Sequence, residues 1–148
     1  MEPESETEQA GDWLKVEFES LSKNEELARV IAAVFASRLD PTLEELDDIK
    51  TAVSEAVTNA IRHGYREEAG IVVMEMEIDG RTIHIHVTDG GVGIANISQA
   101  MEPMYSSDPE GESAGMGFSL MQSFMDTVYV ESEPGKGTRV TMTKTINR

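Results

Sequence analysis

The sequence has 148 residues, 39% of them apolar and 27% charged, with 12 basic against 28 acidic side chains and a net charge of −16. That is the length and make-up of one soluble globular domain, and a surface this negative repels phosphate backbones, which argues against direct nucleic-acid binding. Cysteine is absent and the longest apolar run, Val30 to Ala36, is seven residues, which excludes disulfides, thiolate metal sites and a bilayer-spanning helix of about twenty residues.

Residues Met1 to Asp12 carry Glu2, Glu4, Glu6, Glu8 and Asp12 with no basic residue. Residues 1–12 are therefore expected to be a disordered acidic tail before a single domain over 13–148. No basic start leads into an apolar segment, so no secretory signal is expected and the expected location is the cytoplasm. Leu14, Val16 and Phe18 alternate with Lys15, Glu17 and Glu19 as in a half-buried strand.

Ser22 and Glu25 have the spacing of a capping box, which predicts a helix to about Arg38. Pro41 stops it, and Thr42 with Glu45 gives a second capping box. The helix that follows has an apolar stripe at Leu46, Ile49, Val53, Ala56, Val57 and Ala60, and Gly64 is placed to end it as a left-handed cap.

Ile71–Ile78 and Thr82–Val87 read as strands joined across Asp79-Gly80. A glycine-bearing loop follows at Asp89 to Gly93, then a long mobile loop over Met101–Ala114 and a glycine-led helix over Gly115–Met125. Val128–Ser132 and Thr138–Ile146 read as strands around the turn Glu133 to Gly137. The expected fold class is α+β: a two-layer sandwich whose mainly antiparallel sheet is covered on one face by helices.

Glu55 and Asn59 are four apart on the second helix, so they lie on one side of it, away from the stripe of Ile49, Val53 and Val57. A carboxylate beside an amide oxygen can hold magnesium or its waters and accept a proton. Two polar residues on a wet helix face have the same spacing. Asp89-Gly90-Gly91-Val92-Gly93 comes straight after a strand, where glycines allow close approach and the aspartate can accept from an amino group. Gly115-Met116-Gly117-Phe118 opens a helix, whose free N–H groups favour phosphate. A plain turn and a flexible hinge are the plainer readings of these two. His84 and His86 share one strand face, and Met74, Met76, Met116, Met121 and Met125 read as core filler.

Taken in order, these three elements resemble the GHKL ATPases, the family of gyrases, heat-shock chaperones, mismatch-repair ATPases and histidine kinases. Ser54–Ala60 with His63-Gly64 is similar to that family's N box, Asp89–Gly93 to its first glycine box, Gly115–Phe118 to its second, and Gly137-Thr138 to its last nucleotide contact. Leu39–Thr42, Val53–Ile61, Ser113–Phe118 and Ser123–Asp126 are similar to the anti-sigma-F kinases of sporulating bacteria.

The resemblance implies ATP and Mg2+ as cofactors and Glu55 as catalytic base. It implies Asn59 as magnesium ligand, and a nucleotide site of Asn59, His63, Asp89, Gly91, Gly93, Ile94, Ala114, Gly115, Met116, Gly117, Phe118 and Thr138. It further implies a homodimer that inhibits a sigma factor and phosphorylates a serine of an anti-anti-sigma protein, with Glu25 and Arg29 as partner contacts. The acidic surface has two readings, solubility or docking of a basic protein partner. The lid, Tyr105 to Ala114, has no lysine or arginine where relatives commonly carry one. Two alternatives therefore stay open: a nucleotide-gated binding module with weak or no kinase activity, and a stress-response switch kinase with other partners.

Overall fold

Alternation of apolar and polar residues along five segments builds the sheet, because successive strand side chains point to opposite faces. The computed structural model describes residues 11–66, 68–102 and 117–146. The strands are β1 (Asp12–Glu19), β2 (Ile71–Asp79), β3 (Thr82–Asp89), β4 (Thr127–Glu133) and β5 (Gly137–Thr145). They lie in the order β1-β2-β3-β5-β4, and each of the four pairings is antiparallel. The fold is the α+β sandwich expected from the pattern.

One face of the sheet presents Val72, Met74, Met76, Ile83, Ile85, Val87, Val140 and Met142, all buried. Against it pack α1 (Lys23–Ala36), α2 (Leu43–Thr58) and α4 (Gly117–Phe124), through Ala32, Phe35, Ile49, Val53, Val57 and Met121. The alternate positions form the other face, where Lys15, Glu75, His86, Thr141 and Tyr129 lie in register across the strands. His86 accepts or donates at Thr141 Oγ1, 2.9 Å away. Lys144 donates to Phe124 O at 2.8 Å, and Thr145 N donates to Asp126 Oδ2 at 2.7 Å, which ties the end of β5 to the end of α4.

The helix α2 starts as its sequence predicts. Thr42 accepts from Glu45 N at 3.0 Å and Glu45 Oε1 accepts from Thr42 N at 2.9 Å, so both halves of the capping box are made. At the start of α1 the expectation fails. Ser22 is already in the helical region and makes no cap bond. Asn24 and Glu25 amides instead donate to Leu21 O and Ser22 O, and the Glu25 carboxylate turns toward Arg29, 3.4 Å from its Nε. The helix ends at Ala36 and continues as one 3₁₀ turn, Ser37–Leu39.

Gly64 is not a left-handed cap either. Helix α2 passes into a π-helical segment, Asn59–Gly64, closed by Tyr65 N donating to Ala60 O at 3.0 Å. The positive φ falls on Arg66 instead. Glycine is needed at 64 for another reason: a Cβ there would stand 2.7 Å from Asp89 Oδ1. A short helix α3 (Ile97–Ala100), capped by Asn96 accepting from Gln99 N at 3.0 Å, follows the first glycine box. Of the tail expected over residues 1–12, Asp12 is instead the first residue of β1. Residues 1–10, most of the loop over Met101–Ala114, and Ala114, Gly115 and Met116 lie outside the described residues.

Candidate functional site

At the end of β3 the sequence places a carboxylate where the sheet meets the helices. Asp89 is only 7% exposed and pairs with Thr138 of β5. Its Oδ1 accepts from Gly91 N at 2.9 Å. Burial pushes its pKa from an ordinary 3.8 up to about 6, against the pull of the Gly91 and Thr138 backbone N–H groups. Ser132 donates to Gly137 O at 2.8 Å and accepts from Ile94 N at 2.7 Å. Its one proton is thereby used, so across the 2.8 Å contact Thr138 is the donor and keeps its lone pairs for the cavity. Asp89 and Thr138 thus set two acceptors side by side, a match for an amino group.

The cavity beneath them is about 320 Å³ and is lined by Asn59, His63, Gly64, Asp89, Gly93, Ile94, Gly117, Phe118 and Thr138 among others. Eight of the twelve residues that the resemblance implies for the nucleotide site, far apart in the chain, therefore meet in one space. Gly91 does not line it but supports it from behind through its amide on Asp89. The N-terminus of α4 closes on Asn59, another lining residue. A Cβ on Gly117 would stand 2.6 Å from Asn59 Nδ2, so any other residue there makes the Asn59 side chain shift. A helix N-terminus beside an amide side chain suits an anion and its counter-ion. Among the described lining residues Arg66 is the sole lysine or arginine, and its φ is +53°.

Glu55 lies one helical turn before Asn59 and outside the cavity lining, half-buried. Its Oε1 is buried without a hydrogen-bond partner, as are Glu25 Oε2 and Arg29 Nε on α1. Burial, and then the charge of Glu25, raise the Glu55 pKa above the ordinary glutamate value. The candidate base therefore feels the charge of Glu25 on α1, a residue that the resemblance implies as a partner contact.

The chain matches the histidine kinase-like ATPase domain over residues 18–144. It is 57% identical over 134 residues to the anti-sigma F factor of Clostridium kluyveri (90% of this chain, 94% of that one). It is 56% identical to that of Clostridium acetobutylicum (88% and 92%) and 54% identical to that of Thermoanaerobacter sp. strain X514 (90% and 93%). This chain belongs to the anti-sigma F factor family of histidine kinase-like ATPase domains. Among solved structures, the fold is shared with the nucleotide-free catalytic domain of histidine kinase ThkA (TM-score 0.57, 13% identity, 90% of this chain and 96% of that one). It is shared also with full-length ShkA in complex with AMPPNP (TM-score 0.57, 20% identity, 83% of this chain and 30% of that one).

The boxes of this anti-sigma F family member are held by contacts that no motif announces. Ser132 and Tyr65 were not singled out from the sequence. Ser132 orients Thr138, and Tyr65 bonds to the loop after Asp89, with Gly90 N donating to its Oη at 2.7 Å. A strand serine opposite a glycine-threonine pair was the one available signal for Ser132. For Tyr65 there was its place just after His63-Gly64. Among the described residues no helix is long and apolar enough to cross a membrane.

Proposed function

We propose that this chain is an anti-sigma factor that binds and inhibits a sporulation sigma factor. With Mg2+ and ATP it phosphorylates a serine of an anti-anti-sigma protein, acting as a homodimer in the cytoplasm. The observation that carries the reading is the meeting of Asn59, Asp89, Gly117 and Thr138 around one cavity of nucleotide size in a chain of this family.

The adenine amino group donates to Asp89, backed by Thr138, with Gly93, Ile94 and Phe118 against the base. The triphosphate lies toward Asn59 and the α4 N-terminus. The Asn59 amide oxygen, a hard donor at the cavity wall beside Gly117, would hold a magnesium ion. When bound, that ion neutralises phosphate charge during transfer. Glu55 takes the proton from the substrate serine hydroxyl. The serine oxygen bonds to the γ-phosphorus and the bond from that phosphorus to the β,γ-bridging oxygen breaks, leaving ADP. Positioning carries most of such a reaction. Glu25 and Arg29 on α1 contact the protein partners, next to the base that acts on one of them.

Gel filtration of the chain with the sporulation sigma factor of its own genome tests the first half of the reading. Co-elution in magnesium-ATP, lost in Arg29→Ala, is the expected result; separate elution in ATP and in ADP contradicts it. A second reading, a nucleotide-gated binding module with little kinase activity, is favoured by the absence of lysine and arginine from Tyr105 to Ala114. Co-elution without phosphate transfer distinguishes it.

A further inference from the structure

We infer that Tyr65 is a positioning residue of the nucleotide site, holding the loop after β3 in the shape that lets Asp89 select an adenine base over a guanine. The inference rests on the reading of Asp89 as the acceptor for the base.

Three successive loop amides each have a fixed acceptor. Gly90 N donates to Tyr65 Oη at 2.7 Å, Gly91 N to Asp89 Oδ1 at 2.9 Å, and Val92 N to Gly64 O at 2.8 Å. Two of the three acceptors belong to the adjoining residues Gly64 and Tyr65, at the end of the helical run that carries Asn59. Tyr65 Oη also donates to Ile71 O at 2.7 Å, at the start of β2. The hydroxyl therefore uses its single proton on one strand and a lone pair on the loop, a bridge that phenylalanine cannot make. The ring itself is fixed in place. It packs on the edge of the core, and a Cβ on Gly70 would stand 2.4 Å from its Cε1.

The consequence for the base follows from the order of the bonds. The amide that orients the Asp89 carboxylate sits between the two that are tied to residues 64 and 65. Releasing Gly90 frees the peptide that carries the Gly91 amide, so Asp89 loses the direction of its acceptor. An ionised carboxylate accepts from the amino group at position 6 of adenine and faces the carbonyl oxygen there in guanine. Orientation of Asp89 is thus orientation of base choice, whereas the phosphates, common to ATP and GTP, lie toward Asn59 and α4.

Equilibrium binding of ATP and GTP with magnesium to the full chain, to Tyr65→Phe and to Asp89→Asn tests this. Tyr65→Phe is expected to weaken ATP binding by about tenfold, the scale of one lost hydrogen bond. GTP binding should stay within about twofold, so that the ATP-over-GTP ratio falls. Equal weakening of both nucleotides, or no change in ATP binding, overturns the inference. If Asp89→Asn lowers the ratio and Tyr65→Phe does not, the role of Tyr65 alone fails. If Asp89→Asn leaves the ratio intact, the reading of Asp89 fails and the inference with it. Should Tyr65→Phe not fold, fluorotyrosine in the wild-type chain decides. The Tyr65 fluorine resonance is expected to move with ATP and stay with GTP, and a resonance indifferent to ATP overturns the proposal.

Discussion

Asp89 and Thr138 pair across the β3–β5 ladder at the rim of the cavity, and Ser132 holds the threonine hydroxyl 2.8 Å from its own oxygen. The arrangement buries an acid that is charged at neutral pH, and the cost of that burial shows as a pKa pushed up to about 6. The consequences for stability and for binding have opposite signs.

For stability, the folded-state pKa lies above the ordinary 3.8, so the folded chain holds the Asp89 proton more tightly than the unfolded chain does. The associated stability is fully present below about pH 4 and is lost as pH rises through about 6. Asp89→Asn is therefore expected to be more stable than wild type at pH 7 to 8, with the difference vanishing near pH 4. Thermal midpoints of the two proteins across this range check it; a difference independent of pH contradicts it.

For binding, the proposed role of Asp89 has the amino group of adenine donate to the ionised carboxylate. The ATP-over-GTP preference of the wild type is expected to fall below about pH 6, by up to tenfold per unit. GTP serves as the control for titration of the phosphates. A preference unchanged down to pH 5 contradicts the role given to Asp89.

Gly117 makes a prediction at the α4 side of the cavity. A methyl group there would meet Asn59 Nδ2 at 2.6 Å, so Gly117→Ala displaces that side chain. Gly117 is the first residue of α4, so alanine there gains only part of the up to about 1 kcal/mol it gains in a helix interior. Gly117→Ala is expected to hold or gain thermal stability while losing about tenfold or more in affinity for ATP and GTP alike. Loss confined to ATP would place the defect at the base and refute this reading.

Glu25 raises the pKa of Glu55 after burial has already done so. A base works in its deprotonated form, so the acid limb of the pH–rate profile lies above the ordinary glutamate range. Glu25→Gln removes the second cause, and the limb is expected to move to lower pH. Phosphate-transfer rates between pH 4 and 8 at saturating ATP measure it. A limb that stays in place means that the charge of Glu25 is not felt at the base.

How much of this was legible in the sequence divides by range. The strand alternation and the Thr42–Glu45 box are local, decided within a few residues, and the structure has them as read. The Ser22–Glu25 box is equally local in pattern, but Arg29 competes for the Glu25 carboxylate and wins. Gly64 was legible as a glycine position and misread as a cap, because what requires it is Asp89, brought near by the sheet. Eight cavity residues could be named in advance since each sits in or beside a motif. Ser132 and Tyr65 could not, because their partners, Ile94 and Gly90, lie 38 and 25 residues away.

The Thr42 cap offers a plain check on the fold itself. Thr42→Ala removes the acceptor for Glu45 N and is expected to lower stability by about 1 kcal/mol, read as a lower urea midpoint. The ATP-over-GTP ratio should not move.

The central claim is that this chain transfers phosphate to a protein serine with Glu55 as base. The direct measurement is transfer of labelled γ-phosphate from magnesium-ATP to the anti-anti-sigma protein of the same genome, comparing wild type with Glu55→Ala. The account predicts labelled phosphoserine with wild type and its loss in the variant, with nucleotide still bound by both. Wild type that binds ATP and transfers nothing, or a variant that transfers as well as wild type, would contradict it.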